Sequence, residues 1–293
     1  MNASSPGVAS FRQTTALMRF ALLLGAFLTF VTGVQLVVLT SRTAEFFAWT
    51  IAAAPSAIVI GAFYWTATVL SFLSWRQRDW AASRVGVPGV TIFLWATLAT
   101  TVLHADKFHF AAESAVTARF AAWAWLVIYI ADPVLVTFAL VRQAGVPGAD
   151  PPRSSPLPGA YRALLVAAAG LFMLLGALML AVPAVFIDRA PWPLTPLTCR
   201  TIGAWVLAMG GVFGTMARED DALRIRPAAI ASVTLPTLLC ASTLRDLGEF
   251  RRGPPAVVVA ALVATVALIG VAGLLAARSR AGSLAAASGS PLP

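Results

Sequence analysis

The chain has 293 residues, of which 59% are hydrophobic and only 11% are charged, and its formal net charge is +9. Soluble domains carry roughly 25% charged residues, so this composition excludes a soluble globular protein. The 21 basic residues are scattered through short segments between apolar runs. That pattern argues against a nucleic-acid-binding face and predicts the lipid bilayer as the main partner.

Eight apolar runs follow one another along the chain, and a bilayer core of roughly 30 Å needs about 20 apolar residues per helix. The runs cover residues 17–39, 53–73, 87–103, 120–141, 163–187, 201–217, 227–243 and 256–277. Pro133, Pro183 and Pro236 interrupt three of them, and we expect kinks there because neighbouring groups satisfy the freed carbonyls. The predicted fold class is all-α, a polytopic transmembrane helical bundle of about eight spans.

The longest predicted connection, at 143–160, is rich in proline and serine and separates two sets of four helices. We therefore predict a first four-helix half and a second four-helix half, joined by this linker and flanked by cytoplasmic tails. The N-terminal tail covers residues 1–16 and the first half covers 17–142. The linker covers 143–160, the second half 161–277 and the C-terminal tail 278–293.

The two predicted halves show a weak similarity at a nearly constant offset. The segment 60–63 resembles 202–205, Arg76 and Asp79 correspond to Arg218 and Asp221, and Asp106 and Asp246 follow the third and seventh runs. An even number of helices per half preserves orientation, so the similarity favours a parallel duplication. Chance similarity between helices rich in alanine and glycine is the alternative.

The distribution of arginine between loops predicts the orientation in the plasma membrane. If the N-terminus is cytoplasmic, the cytoplasmic segments hold more basic residues than the external ones, as the positive-inside rule requires. These basic residues are Arg12, Arg19, Arg76, Arg78, Arg84, Arg142, Arg153, Arg162, Arg218, Arg224, Arg226, Arg278 and Arg280. We therefore expect both termini in the cytoplasm.

The loop after the third run is the most polar external segment and holds both histidines. If this loop is helical, Asp106, His109 and Glu113 share one face, and such an oxygen and nitrogen set suits a divalent cation. His104 points away from that face. A helix entry whose polar groups meet water and lipid headgroups is the alternative.

Asp132 is the one acidic residue well inside an apolar run, next to Pro133 and close to Tyr129. An intramembrane carboxylate is costly, so it indicates a functional site by default. A proton or ion site is one interpretation, and a carboxyl group that links two helices by a hydrogen bond is the other.

A proline-rich segment from Pro191 leads into the sixth run. Its prolines predict a non-helical chain up to Leu197, a helix cap at Thr198, and Arg200 in the first turn. A cation opposes the macrodipole there, so Arg200, Thr198 and Trp192 are candidates for binding an anion or a lipid headgroup. A structural pair inside the protein is the alternative for Arg200.

Three segments carry a resemblance to a known group of proteins. They are the His-x-Asp-x-Phe loop, the aromatic run at 123–129, and the pattern WPLTPLT-x-R-x-x-GAW that starts at Trp192. Together they resemble a family of uncharacterised multi-pass bacterial membrane proteins, common in actinobacteria. The resemblance implies a membrane location and no particular mechanism.

Three functions remain open at this level. A permease for an ion or small molecule leads, because a buried acid and kinked helices suit a pathway. A non-catalytic membrane subunit or assembly factor, with a membrane protein or a second copy as partner, is the second hypothesis. A membrane-embedded enzyme acting on lipid is the third. We find no Walker, HExxH, CxxC or GxSxG motif, and we predict no cofactor.

Overall fold

The computed structural model describes residues 11–243 and 252–288, and these fold into long helices joined by short connections. The helices are α1 (Ala16–Val37), α2 (Ala54–Arg76), α3 (Val87–Leu103), α4 (Val116–Ala144), α5 (Gly159–Ala181), α6 (Pro196–Glu219), α7 (Arg226–Thr243) and α8 (Pro254–Ser288). Asp246, which the comparison of the two halves pairs with Asp106, lies outside the described residues.

The number of membrane-crossing helices is close to the prediction. Within the described residues, seven helical stretches are long and apolar enough to cross a membrane. One of them, Trp80–Leu103, adds the turns before α3 to that helix and so lengthens the short third run. The seventh predicted run falls on α7, whose apolar stretch Arg226–Ala241 is shorter. The protein is thus a polytopic helical bundle and an integral membrane protein.

Pro183 breaks the fifth predicted helix instead of kinking it. α5 ends before this proline, Val182 leaves helical dihedral angles (φ −128°, ψ 61°), and a separate turn follows at Ala184–Ile187. Proline has no N–H to donate, and it disfavours the helical region for the residue before it. Pro133 and Pro236 lie inside α4 and α7, as predicted.

Large apolar side chains cover much of the outer surface of the bundle. Phe20, Phe27 and Phe30 of α1 are 57%, 63% and 52% exposed, and Phe120 and Phe138 of α4 are also exposed. Water-soluble monomers rarely expose contiguous apolar surface of this kind. These helix faces are therefore suited to contact with lipid.

The packing of α1 on α2 recurs in the packing of α5 on α6. Gly33 of α1 lies directly against the Trp65 side chain of α2, and Gly176 of α5 lies against the Leu207 backbone of α6. The two glycines are 143 positions apart and their partners 142. Between the halves, α2 contacts α7 and α6 contacts α3. The division into two related halves stays a prediction, and the equivalent positions of these two glycine contacts support it.

The connections gather at two ends of the bundle. The segments 11–15, 77–86, 145–158 and 220–225 meet at one end, which we call the Arg-rich end. The segments 38–53, 104–115 and 182–195 meet at the opposite end.

Glu219 ties the Arg-rich end together. Its side chain is 2% exposed and accepts hydrogen bonds from Arg84 at 2.6 and 2.9 Å and from Arg224 at 3.0 Å. The Arg153 guanidinium donates to the Glu219 carbonyl oxygen at 2.9 Å. The end of α6, the turn before α3 and the connection before α5 are therefore held by one buried carboxylate.

Candidate functional site

Asp132 lies on the buried face of α4, where 9% of its surface is exposed. Its Oδ1 atom is buried and has no hydrogen-bond partner among the described residues. A buried polar atom without a partner costs free energy, and most such atoms in proteins are paired. Among the described residues, no interhelical hydrogen bond is therefore made through Oδ1.

A small cavity borders the Asp132 side chain. Its volume is about 20 Å³, and its walls include Met18 and Gly25 of α1, Ser71 of α2 and Val136 of α4. A cavity of this size has room for about one water molecule. Its wall is mainly apolar, and Asp132 and Ser71 supply the polar side chains among the lining residues.

Tyr129 lies one turn from Asp132 on the same face of α4, towards the opposite end. Its hydroxyl group is 2.6 Å from that of Tyr64 in α2, and both side chains are buried. This hydrogen bond joins α4 to α2 inside the membrane-spanning part of the bundle. Tyr129 therefore has a structural partner, which distinguishes it from Asp132.

Apolar groups separate Asp132 from both ends of the bundle. Towards the opposite end, the rings of Trp125, Trp49 and Phe47 pack together, with the two indoles 5.0 Å apart. Towards the Arg-rich end, buried Val136 and Ala139 follow on the same helix face. Asp132 is therefore almost fully buried, with apolar side chains towards both ends of the bundle.

The loop proposed for a metal ion does not have the helical form on which that proposal depends. It begins with a single 3₁₀ turn at Ala105–Lys107, and Phe108 after it is extended. His109 binds inward, with Nδ1 2.9 Å from the Phe47 carbonyl oxygen and Nε2 2.9 Å from the Thr50 hydroxyl group. Its ring therefore fastens this loop to the connection between α1 and α2.

The other residues of that hypothesis have separate neighbours. Asp106 pairs with Lys107 at 2.8 Å, Glu113 is exposed, and His104 contacts Arg200. In the two described ranges, no group of three or more His, Cys, Asp or Glu side chains is arranged to hold a metal ion.

Arg200 faces the protein rather than an external ligand. It donates to the Leu180 carbonyl oxygen at 2.9 Å, and a second nitrogen lies 2.9 Å from Nε2 of His104. Arginine has no acceptor, so this nitrogen of the histidine accepts. Burial, and next the Arg200 charge, lower the pKa of His104. The pair fastens α3 to the start of α6.

The cap of α6 is Thr195, not Thr198. The helix begins at Pro196, and the Thr195 hydroxyl group accepts from the Thr198 backbone N–H at 3.2 Å. Proline is favoured at a first helical position, where its missing N–H is not needed. Thr198 is buried and accepts a hydrogen bond from the Thr195 hydroxyl group, so it is placed inside the protein.

A second, larger cavity lies at the opposite end, lined mainly by the second half together with Val59 and Phe63 of α2. Its volume is about 490 Å³, and Trp192 forms part of its wall. The Trp192 side chain is 5% exposed, and its Nε1 donates to the Ser56 hydroxyl group at 3.0 Å. Of the three residues predicted to bind an anion or lipid, Trp192 alone borders this cavity.

Sequence reasoning missed three residues that matter in the structure. Tyr64 is the partner of Tyr129, Glu219 holds the Arg-rich end, and Arg189 lies at the larger cavity. A glutamate at the end of a predicted span, surrounded by arginines in neighbouring loops, was a usable signal for Glu219. The sequence carries no comparable signal for the contact between Tyr64 and Tyr129.

Compared with models of known protein families, with curated proteins and with solved structures, the chain has no match. The resemblance to bacterial multi-pass proteins stays a prediction.

Proposed function

We propose that the protein is a permease of the plasma membrane that carries a proton or a small cation, with Asp132 as the ion-binding group. The observation that carries the proposal is the buried Oδ1 atom, which has no partner in the described ranges and borders a cavity of about one water molecule. A carboxyl group at this depth is costly and is kept mainly where it serves a function.

The occluded surroundings of Asp132 support a carrier rather than an open channel. A carrier binds its ion in a site closed to both sides and then opens it to one side at a time. The apolar groups on each side of Asp132 fit the closed state of such a cycle. Opening requires a movement of α4 against α1 and α2, which line the small cavity with it.

The proposed orientation places the Arg-rich end and both termini in the cytoplasm. The N-terminal segment and the connection between α4 and α5 both meet at that end, together with most of the arginines. The excess of arginine in these segments supports the orientation through the positive-inside rule.

The enzyme hypothesis has less support, because its residues have separate partners. Arg200 and His104 are paired with each other, and His109 is bonded to Phe47 and Thr50. In the part of the chain that the structure describes, no specific contact favours the subunit hypothesis over the permease.

The test is proton flux in liposomes that contain the purified protein and the dye pyranine. A potassium diffusion potential drives proton entry, which quenches the dye. We expect faster entry than into protein-free liposomes, and we expect Asp132→Asn to abolish the difference because the amide cannot ionise. Asp188→Asn makes the same chemical change at an exposed position and should leave the flux unchanged.

His109→Ala distinguishes the permease from a metal-dependent enzyme. Its flux should equal that of the wild type, since His109 lies outside the occluded site. Flux in Asp132→Asn equal to that of the wild type would falsify the role of Asp132. Wild-type flux equal to that of empty liposomes would overturn proton transport altogether.

A further inference from the structure

The larger cavity has an almost wholly apolar wall. Phe172, Met179, Ile202, Val206 and Leu235 contribute to it from three helices. Ligand pockets of roughly 300–1,000 Å³ with apolar walls and few polar groups are typical binding sites for small molecules. With about 490 Å³, this cavity falls inside that range, and its chemistry selects a hydrocarbon ligand.

The depth of the cavity matches one leaflet of a bilayer. Along α8 the wall runs from Pro254 to Val266, which is about 18 Å at the helical rise of about 1.5 Å per residue. The hydrocarbon core of one leaflet is about 15 Å thick, half of the whole core. A chain that fills the cavity along its length therefore has the length of a lipid acyl chain.

Among the described residues, Arg189 supplies the one charged side chain on the wall. It is exposed, and its guanidinium group donates to the Val185 carbonyl oxygen one turn earlier at 3.0 Å. Among the described residues it has no carboxylate within ion-pair distance, although the exposed Asp188 precedes it in the chain. A guanidinium group at the mouth of an apolar cavity suits a phosphate group.

The first half fills the comparable space with its own side chains. There the connection between α1 and α2 packs on α4 through Phe47, Trp49 and Trp125, with ring centroids 4.6 to 5.5 Å apart. In the second half, Trp192 and Leu262 of α8 both line the cavity, and the residues that α8 contributes to its wall are aliphatic or proline.

We propose that this cavity binds one acyl chain of a bilayer phospholipid, with the phosphate of that lipid at Arg189. The apolar wall selects the chain, the depth sets its length, and the guanidinium group selects the anionic headgroup. The cavity wall is formed mainly by the second half, with Val59 and Phe63 from α2, and it does not include Asp132. The lipid proposal is therefore tested separately from proton transport.

The test is native mass spectrometry of the purified full-length protein in detergent. The protein is incubated with equal amounts of palmitoyl-oleoyl phosphatidylglycerol and palmitoyl-oleoyl phosphatidylcholine. We expect one retained lipid per chain and a preference for phosphatidylglycerol of about fivefold, the effect of one basic group near an anionic surface. Asp132→Asn should retain lipid as the wild type does.

Two pairs of variants separate this site from general lipid contact. Val263→Trp fills the cavity and should remove the retained lipid, whereas Val271→Trp makes the same change on the exposed face of α8 and should not. Arg189→Gln should remove the preference for phosphatidylglycerol, whereas Lys107→Gln, another exposed cation at the same end, should keep it.

Three outcomes would overturn the proposal. The first is a wild-type protein without retained lipid, which means that the space is filled by the protein itself or is empty. The second is equal loss of lipid in the two tryptophan variants. The third is an unchanged preference in Arg189→Gln, which changes an exposed residue and is informative even if Val263→Trp folds poorly.

Discussion

Two polar residues on the buried face of α4 have opposite surroundings. Gln143 is fully buried, and its side chain accepts from the Thr15 backbone N–H at 2.8 Å and donates to the Gln13 carbonyl oxygen at 2.9 Å. Asp132 leaves its Oδ1 atom without a partner in the described part of the chain. The Gln143 side chain therefore links α4 to the N-terminal segment, whereas the Oδ1 atom of Asp132 forms no such link in that part of the chain.

This difference predicts the effect of replacing each residue with leucine. Gln143→Leu should lower the free energy of unfolding by about 1–3 kcal/mol, because two backbone groups lose their partner. Asp132→Leu should leave it unchanged or raise it, since a buried unpaired group is removed. Unfolding of both variants in mixed detergent micelles with increasing dodecyl sulfate measures the difference. An equal loss in the two variants would mean that Asp132 is a structural link between helices.

At the scale of elements, glycine decides how closely α5 approaches α6. A Cβ atom at Gly176 would lie 2.3 Å from the Leu207 backbone nitrogen, whereas one at Gly170, in the same helix, would meet nothing within 4 Å. Backbone atoms of a helix cannot move aside for an added methyl group, whereas the end of a flexible side chain can. Close approach through small residues is a main source of stability between membrane helices.

The two glycines of α5 form a matched pair of sites for substitution by alanine. Gly176→Ala should lower the thermal unfolding temperature of the purified protein, because α5 and α6 must separate. Gly170→Ala should leave it unchanged or raise it, since alanine favours a helix by about 1 kcal/mol relative to glycine. Differential scanning fluorimetry of both variants checks this, and a neutral result for Gly176→Ala would contradict the close packing.

The positions of the helices can be predicted well from the sequence, whereas the contacts between helices can be predicted only poorly. Hydropathy locates the spans because the bilayer demands length and apolarity, and it also points to Asp132 as the exceptional buried charge. The sequence-based boundaries are wrong at the cap of α6 and at the end of α5, where the local geometry of proline determines the end of each helix. Contacts such as Arg84 with Glu219, 135 residues apart, depend on how the helices pack, which hydropathy does not contain.

Over the whole molecule, the two halves combine similar packing with different interiors. The first half fills its opposite end with aromatic rings and keeps an acid beside a cavity of about 20 Å³. The second half leaves about 490 Å³ open behind Trp192. If both proposals hold, one half handles the ion and the other holds a lipid.

The orientation of the whole molecule can be tested with two exposed positions on either side of one span. Arg78 lies at the Arg-rich end and Lys107 at the opposite end, and Trp80–Leu103 crosses between them. Each residue is replaced by cysteine in a protein whose native Cys199 and Cys240 are serine. In intact cells a membrane-impermeant maleimide should label Lys107→Cys, and it should label Arg78→Cys only after permeabilisation.

The opposite pattern of labelling would place the Arg-rich end outside and contradict the positive-inside rule for this chain. Labelling of both positions in intact cells would contradict the span itself, since a helix of 24 residues should hold its two ends on opposite sides of the bilayer. The orientation also decides where each proposed site opens. With the Arg-rich end inside, the cavity at Arg189 faces the outer leaflet, and its lipid comes from there.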